Sequence, residues 1–414
     1  MSDSPRIALI ATLDTKGEET AYVRDRIAAL GGEAVVIDSG ILGEAAGCEP
    51  TVSRAEVARA AGRDLDDVRA AGSRGAAVEQ MQEGVRAVVE RLWAERSVDG
   101  ALCLGGAEGA LLGAAAMEAL PVGVPKLIVS PVASGRRPFG PFMGEGDTLV
   151  MHSVTDILGL NPISRAVFDN AAAAVVGMAR DAGRPAESLG EHCVAITMLG
   201  HTTPAVMRMM PVLEGAGHEP VVFHANGVGG PAMERLIESG AISGVIDFTL
   251  SELANAMHPT GLHATGPRRL TVAGEHGLPQ VVVPGCVDFF NQGAPDELPE
   301  HYRDRKRYYH NPVATLVRLS AEEESALGRV VAERLTGARG PVRVICPTGG
   351  FSLADVPGGD LWDPEADAAF IDSLRLSLPP EIPLEEVDAH VDDPEFADLV
   401  AERYLTLAKE TAHA

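Results

Sequence analysis

The chain has 414 residues, 46% of them hydrophobic and 22% charged, and carries a formal net charge of -25. These values are typical of a folded protein of about two domains, and no apolar stretch approaches the roughly 18 residues that a membrane span requires. The negative charge repels nucleic acid and anionic membranes, so neither is an expected partner. The N-terminal residues lack the pattern of a secretory signal peptide, which predicts a cytoplasmic protein.

Short apolar runs alternate with helix-length amphipathic segments, which is typical of parallel βαβ units and predicts the α/β class. In the first half we predict strands over residues 7–11, 34–38, 101–104 and 127–129, and helices over residues 18–30, 75–95, 107–119 and 165–178. The five cysteines are widely spaced and form no CxxC pair. We therefore expect buried thiols rather than disulfides or zinc ligands.

The second half repeats the first when the sequence is shifted by 186 positions. The matches at this shift are residues 7–10 with 193–196, residues 34–38 with 220–224, Gly31 with Gly217, and Gly43 with Gly229. At another shift, residues 123–129 match residues 277–283. We predict two doubly wound Rossmann-like lobes with mainly parallel sheets, over residues 1–184 and 185–414, and a cleft between the lobes. The alternative is a chance alignment of unrelated βαβ units.

In a parallel sheet, ligands bind beyond the carboxyl ends of the strands, so the residues after each predicted strand are site candidates. The first strand is followed by Thr12, Asp14, Thr15, Lys16 and Gly17. Thr15 or Asp14 can cap the next helix, and Lys16 can reach a phosphate bound at the N-terminus of that helix. An ordinary helix cap beside a surface lysine is the alternative.

Two further loops of the first half are candidates for binding an anion. Gly105 and Gly106 open a helix whose backbone amide groups can approach a phosphate, although the Glu108 carboxylate would repel it. This loop matches neither GxGxxG nor the P-loop pattern, so no standard dinucleotide site is predicted. The other loop offers hydroxyl and guanidinium donors to an anion, with a solvated basic loop as the alternative. Its residues are Ser130, Ser134, Gly135 and Arg136.

The second half carries its own glycine-rich loop after a predicted strand. Asn226, Gly227, Gly229 and Gly230 precede a predicted helix and form a candidate nest of backbone amide groups for an anion. His224, at the end of the preceding strand, is a candidate for acid–base work. A purely structural histidine is the alternative.

Carboxylates complete the candidate catalytic set. Asp247 and Glu252 flank the end of the next strand and join His224 and Lys16 as candidate catalytic residues. Later histidines follow without the spacing of metal ligands, so we predict no metal site.

Taken in chain order, these segments resemble an uncharacterised family that includes the ATP-binding N-terminal domain of the tomato mosaic virus resistance protein. The segments that carry the resemblance are residues 12–18, 123–126, 161–164, 196–200, 202–204, 224–234 and 310–312. The resemblance implies two Rossmann-like lobes, association into homodimers or higher homo-oligomers, and a nucleotide site for ATP with magnesium.

The chain departs from the family pattern at one loop. Where the family usually reads Gly-Gly-Ser-Gly-Gly-Thr, residues 105–110 read Gly-Gly-Ala-Glu-Gly-Ala. Two hydroxyl groups are lost and a negative charge is gained, so we predict weak ATP affinity beside a surviving site for a smaller anion.

The favoured interpretation is an enzyme of unassigned reaction that binds a nucleotide or another phosphate or carboxylate ligand in the cleft. In this interpretation Lys16 and the glycine loops stabilise negative charge, and His224 or Asp247 handles a proton. The alternative is a non-catalytic regulatory or scaffold protein that binds a nucleotide or a protein partner.

Overall fold

The structure, a computed structural model, describes residues 4–133, 144, 146–181 and 192–412. The predicted ligand residues Ser134, Gly135 and Arg136 lie outside the described residues, as does the predicted boundary after residue 184. The chain divides into two compact units, Met1–Glu187 and Ser188–Ala414, called unit 1 and unit 2 below.

Unit 1 is built on a five-stranded parallel sheet with the order β2-β1-β3-β4-β5. Its strands are β1 (Arg6–Ala11), β2 (Glu33–Asp38), β3 (Gly100–Leu104), β4 (Lys126–Ser130) and β5 (Leu149–His152). Its helices are α1 (Leu13–Ala29), α2 (Arg54–Ala60), α3 (Leu65–Arg69), α4 (Arg74–Ala94), α5 (Ala107–Glu118) and α6 (Pro162–Asp181).

Helices cover both faces of this sheet, which explains why its strands are apolar runs rather than alternating ones. Ile7 and Leu9 of β1 pack with α1 and α6 on one face. Ala8 and Ile10, which alternate with them, pack with α2, α4 and α5 on the other face. The sheet is therefore doubly wound, as predicted.

Unit 2 contains a six-stranded parallel sheet with the order β14-β13-β9-β8-β6-β7 and a three-stranded antiparallel sheet with the order β10-β12-β11. The strands are β6 (Cys193–Met198), β7 (Glu219–His224), β8 (Gly244–Thr249), β9 (Gln280–Gly285), β10 (Phe289–Gln292), β11 (Arg307–Asn311), β12 (Ala314–Arg318), β13 (Val342–Pro347) and β14 (Leu384–Val387). The helices are α7 (Thr203–Gly215), α8 (Gly229–Glu238), α9 (Ser251–Ala256), α10 (Val272–Glu275), α11 (Ala321–Leu335), α12 (Pro364–Ser377) and α13 (Pro394–Ala412).

The first four strands of each unit occur in the same order, β2-β1-β3-β4 in unit 1 and β7-β6-β8-β9 in unit 2. Gly31 and Gly217 end the corresponding helices with φ of 79° and 87°. In each case the following residue donates its N–H to a carbonyl five residues earlier, Gly32 to Ile27 and His218 to Leu213. This is the glycine-terminated helix end that the repeat predicted.

The α/β class and the mainly parallel sheets are confirmed, but some details differ from the prediction. Helix α1 begins at Leu13 rather than near residue 18, because the Asp38 carboxylate accepts a hydrogen bond from the Leu13 N–H at 3.1 Å. The antiparallel sheet, called the ribbon below, was not predicted. All five cysteines are buried free thiols. Within the described part of the chain, no helix is both long enough and apolar enough to span a bilayer.

We predict that Gly217→Ala lowers the free energy of unfolding by about 1 kcal/mol, because an alanine at positive φ is strained. An added Cβ would meet no atom within 4 Å, so the backbone conformation alone sets this cost. Denaturant titration measures it. Gly215→Ala is the matched control, since Gly215 lies in the last turn of α7 with equal space. A Gly217→Ala variant as stable as that control would contradict the prediction.

Candidate functional site

A cavity of about 600 Å³ lies at the carboxyl ends of the first three strands of unit 1. This volume is within the usual range for small-molecule sites. The cavity is lined by Thr12, Asp14, Thr15, Ser39, Ile41, Leu42, Arg69, Ala70, Gly72, Ser73, Arg74, Ala77, Val78, Glu108 and Leu112.

The strand order explains why the cavity lies there. From β1 the chain continues through α1 to β2 on one side, whereas β3 pairs with β1 on the other side. The connections on the two sides of β1 therefore run over opposite faces of the sheet and leave a crevice at the strand ends. This topological switch point is where open α/β sheets bind their ligands.

Three helices begin at the cavity. Thr12 and Ser73, the residues that precede α1 and α4, line it, and so does Glu108 in the first turn of α5. The N-terminal ends of helices carry partial positive charge and free N–H groups. Their convergence favours a ligand with an anionic group.

Arg74 and Glu108 form a two-pronged ion pair between α4 and α5 at the cavity. The Arg74 Nε lies 2.5 Å from Glu108 Oε1, and its Nη2 lies 2.7 Å from Oε2. The carboxylate that was expected to repel phosphate is thus neutralised by a neighbouring guanidinium. Of the two alanines in the same loop, Ala107 is exposed and Ala110 is buried in the core.

Arg69 shapes the opposite wall of the cavity. Its Nε donates to the Ile41 carbonyl at 2.8 Å and its Nη2 to the Leu42 carbonyl at 3.3 Å. The cavity lining therefore carries two guanidinium groups and the carboxylates of Asp14 and Glu108. These formal charges cancel.

Hydroxyl groups occupy the strand ends. The Thr12 and Thr15 hydroxyl oxygens lie 3.0 Å apart, and the buried Ser39 Oγ has no hydrogen-bond partner among the described residues. Neighbouring Asp38 is used structurally, since its carboxylate accepts from the Leu13 and Gly40 N–H groups. Burial raises the pKa of Asp38. An unsatisfied buried hydroxyl at a cavity wall is suited to bond a ligand.

Not all predicted residues of the first half line the cavity. The structure brings Thr12, Asp14 and Thr15 to it but places Lys16 and Gly17 outside the lining. Lys16 interrupts α1 with φ of -126° and ψ of 17°. Gly17 packs so closely on the next loop that an added Cβ would lie 1.4 Å from the Ala46 carbonyl oxygen.

The remaining loop residues of unit 1 are also outside the cavity lining. Gly105 is buried, and a Cβ there would lie 2.4 Å from the Gly109 carbonyl carbon, whereas Gly106 faces open space. Ser130 is buried at the end of β4 and accepts a hydrogen bond from the Val132 N–H at 3.4 Å. The ligand roles of these residues stay predictions.

In unit 2 the predicted glycine nest already holds an anion, the carboxylate of Glu252. Its Oε1 accepts hydrogen bonds from the Gly227 N–H at 2.8 Å and from the Gly230 N–H at 3.1 Å. Gly229 packs against the backbone of His224, where a Cβ would lie 2.1 Å from the carbonyl oxygen. The Asn226 side chain accepts from the Val228 N–H. The N–H groups of Gly227 and Gly230 thus donate to a side chain of the same chain, and the predicted binding of an external anion stays a prediction.

Arg269 neutralises this carboxylate and a second one. Its Nε lies 2.7 Å from Glu252 Oε2 and its Nη1 lies 2.7 Å from Asp247 Oδ1, with all three side chains buried. Glu234, which accepts from the Leu270 N–H at 2.9 Å, lies beside them. The predicted catalytic residues Asp247 and Glu252 thus form a buried ion network, whereas His224 is exposed. Their catalytic roles stay predictions.

The sequence analysis missed the residues that matter most to the two sites, Arg74 and Arg269. Arg74 follows Ser73, whose Oγ accepts from the Ala76 N–H, so the helix cap was a usable signal for its position. Arg269 gave no such signal, since it follows a Gly-Pro-Arg segment typical of an exposed loop. Among the described residues, no group of three or more His, Cys, Asp or Glu side chains could hold a metal ion.

Two family models match the chain. They are described as the N-terminal domain of an uncharacterised protein family (UPF0261), over residues 5–184, and the C-terminal domain of the same family, over residues 191–408. The chain belongs to the UPF0261 family. A UPF0261 protein of Clostridium tetani is 38% identical, covering 98% of this chain and 99% of that protein. One from Brucella suis is 38% identical, covering 96% and 94%.

Outside the bacterial UPF0261 proteins, the chain is similar to a tomato protein named ToMV susceptible protein tm-1(GCR26). The two are 30% identical over 100% of this chain and 57% of the tomato protein. A putative UDP-N-acetylglucosamine 2-epimerase from Listeria monocytogenes aligns at 10% identity over 67% of this chain and 79% of its own, with a TM-score of 0.24. The glycosyltransferase SnogD from Streptomyces nogalater aligns at 12% over 96% and 99%, with a TM-score of 0.17. Scores this low support no functional argument.

Alanine substitutions at Gly17 and Gly106 distinguish a glycine that close packing requires from one that has open space around it. We predict that Gly17→Ala lowers the free energy of unfolding by about 2 kcal/mol or more, since the new methyl group overlaps the Ala46 carbonyl. Gly106→Ala meets open space and should change it by less than about 0.5 kcal/mol. Thermal and denaturant unfolding measure both. Equal stability of the two variants would contradict the packing role of Gly17.

Unit 2 should lose stability as pH rises towards neutral. Burial raises the pKa of Glu234 from 4.5 to about 7, so the folded state binds this proton more tightly than the unfolded state does. The stabilisation is complete below pH 4.5 and is lost by about pH 7, a change of about 3 kcal/mol.

Glu234→Gln should flatten this slope, because the amide stays neutral and still accepts from the Leu270 N–H. Glu238→Gln is the control, since Glu238 lies on the same helix in a partly exposed ion pair with Arg268. Denaturant titrations across the pH range test both variants. An unchanged slope in Glu234→Gln would show that other groups cause it.

Proposed function

We propose that this protein is an enzyme that binds a nucleotide or another small phosphate or carboxylate compound in the cavity of unit 1. The observation that carries the proposal is the convergence of three helix N-terminal ends on a cavity of about 600 Å³ at a topological switch point. The unpartnered Ser39 hydroxyl supports it, because a ligand hydroxyl or oxyanion would satisfy that group.

The residues that line the cavity indicate the chemical character of the ligand. The lining includes four apolar side chains, which suit a ring: Ile41, Leu42, Val78 and Leu112. The hydroxyl groups at the strand ends suit a polar, hydroxylated part, and Arg74 with the helix ends suits an anionic group. A nucleoside monophosphate combines these parts.

The balanced charge of the lining disfavours a triphosphate. Asp14 and Glu108 offset Arg69 and Arg74, so a ligand with several negative charges meets no net positive field. ATP with magnesium is therefore proposed as a weak ligand, in line with the altered loop at residues 105–110. A ligand with a single anionic group can displace the Glu108 carboxylate and pair with Arg74.

We further propose that His224 acts in proton transfer and that the protein works as a homo-oligomer in the cytoplasm. His224 is exposed, so its replacement by alanine should remove turnover of an identified substrate without changing the melting temperature. A second candidate function is a non-catalytic regulatory or scaffold protein. The structural use of Asp247 and Glu252 favours that candidate, because it removes two proposed acid–base groups from reach of a ligand.

Calorimetry with AMP and with ATP plus magnesium tests the ligand proposal. We expect AMP to bind more tightly than ATP, and Arg74→Ala to weaken AMP binding by roughly 10- to 100-fold, the effect of one lost charge-assisted hydrogen bond. Glu108→Gln should strengthen binding of both, because it frees Arg74 and removes a negative charge.

Arg86→Ala is the matched control, because Arg86 joins the same two helices through Glu118, 2.7 Å away, and does not line the cavity. Equal losses in Arg74→Ala and Arg86→Ala would assign the effect to helix packing. Micromolar ATP binding that Glu108→Gln leaves unchanged would contradict the proposed charge preference.

A further inference from the structure

Four histidines from four separate segments of unit 2 come together at the carboxyl edge of its parallel sheet. His201 lies in a short turn after β6, His224 ends β7, His263 follows α9, and His310 lies on β11 of the ribbon. The ring centroids of His201 and His310 are 5.9 Å apart. We call these four residues the imidazole cluster.

The loop contacts hold the rest of the cluster in place. A Cβ on Gly227 would lie 3.1 Å from the His263 carbonyl carbon, so the loop after His224 packs directly on His263. The His263 N–H donates to the buried Asn255 side chain at 3.2 Å. His201 packs against Phe289 and Tyr308 of the ribbon, with ring centroids 5.3 and 5.5 Å away.

Two members of the cluster have buried nitrogen atoms without a partner. The Nδ1 atoms of His201 and His263 are enclosed and make no hydrogen bond to any described residue. The His201 side chain belongs to a residue only 4% exposed. Leaving such a group unsatisfied is unfavourable, and a ligand atom in this position would supply the missing hydrogen bond.

Burial and neighbouring imidazoles disfavour protonation of the cluster, and Glu252 offsets this effect only in part at His263. Burial and then His310 lower the pKa of His201 to about 4. Burial, followed by His224, lowers the pKa of His263, while Glu252 acts in the opposite direction. Both Glu252 oxygens are already bonded, to the glycine loop and to Arg269.

Helix α7 begins two residues after His201, so its N-terminal end is close to this histidine along the chain. Its N-cap residue Thr202 makes no side-chain cap hydrogen bond. The Asp392 carboxylate accepts from the Ala205 N–H in the first turn at 3.4 Å, and burial raises the pKa of Asp392 to about 6. The positive end of this helix is therefore close along the chain to an imidazole that lacks a partner.

We propose that the imidazole cluster is a ligand site of unit 2, which binds a small oxyanion together with a proton. In this proposal the phosphate or carboxylate oxygen bonds the unpartnered ring nitrogens of His201 and His263. The bound anion stabilises the imidazolium form, so each binding event takes up protons from solution. Affinity rises as pH falls, by about tenfold per pH unit for each proton taken up.

The experiment is a titration of the full-length protein, labelled with ¹³C in its histidine rings, with sulfate and separately with acetate. Sulfate stands in for a phosphate group without itself titrating in the working range. We expect the His201 and His263 ring signals to move and their pKa values to rise with the bound anion. Calorimetry in buffers of different ionisation enthalpy should show proton uptake. A response to sulfate alone assigns a phosphate ligand, and a response to acetate alone assigns a carboxylate.

Variants locate the site. His201→Gln and His263→Gln should abolish the response, and His310→Gln, an exposed position that leaves the fold intact, should weaken it several-fold. His276→Gln is the control, since His276 is exposed at the end of α10, next to the amino end of β9. Ring signals that stay unmoved by both anions, or a response lost in Arg74→Ala but kept in His201→Gln, would overturn the proposal.

Discussion

The architecture depends on what satisfies the backbone N–H groups at the carboxyl edges of two parallel sheets. Each helix that begins there presents free amide groups and a partial positive charge. In unit 1, Asp38 serves the start of α1, while α4 and α5 begin at the cavity. In unit 2, Glu252 fills the glycine loop. The two sheets, whose first four strands share one order, thus satisfy these N–H groups differently. Unit 1 leaves space for a ligand, and unit 2 uses the side chain of Glu252.

In unit 2, buried arginine side chains offset the free-energy cost of burying the carboxylates. Arg269 holds two carboxylates, and Arg318 similarly contacts Glu324 and Asp367 inside the same unit. A guanidinium offers donors in a fixed plane and stays charged, so it can serve several acids at once. The acids outnumber the cations in both clusters, and desolvation therefore raises the pKa of Glu324 and of Asp367. The protonated forms of these two acids are therefore favoured over those of exposed carboxyl groups.

Local and periodic features of the sequence predicted the fold well. The contacts between residues far apart in the sequence, on which the candidate sites depend, could not be predicted in this way. The repeat that aligned Gly31 with Gly217 reflects backbone geometry, which a glycine fixes at its own position. The glycine loop at residues 226–230 was predicted to bind an external anion, and in the structure its N–H groups donate to Glu252. Its occupant could not be foreseen, because Glu252 follows β8 in the chain and reaches the loop after β7 only in the folded sheet, where β6 lies between these two strands. Of the residues that line the cavity, the sequence analysis named Thr12, Asp14 and Thr15 as ligand residues, whereas most of the lining comes from α4 and from the loops that precede it.

Helix α5 packs so closely on the sheet that it forms a rigid side of the cavity. A methyl group added to Gly113 would lie 2.5 Å from the Cys103 sulfur, and one added to Gly105 would overlap the first turn of the helix. The opposite side of the cavity is a loop tied by Arg69 to two carbonyl groups, with the Leu42 side chain 69% exposed. The two sides of the cavity thus differ in packing: the helix side is set by close contacts with the sheet, whereas the loop side is exposed to solvent and attached mainly through hydrogen bonds to one side chain.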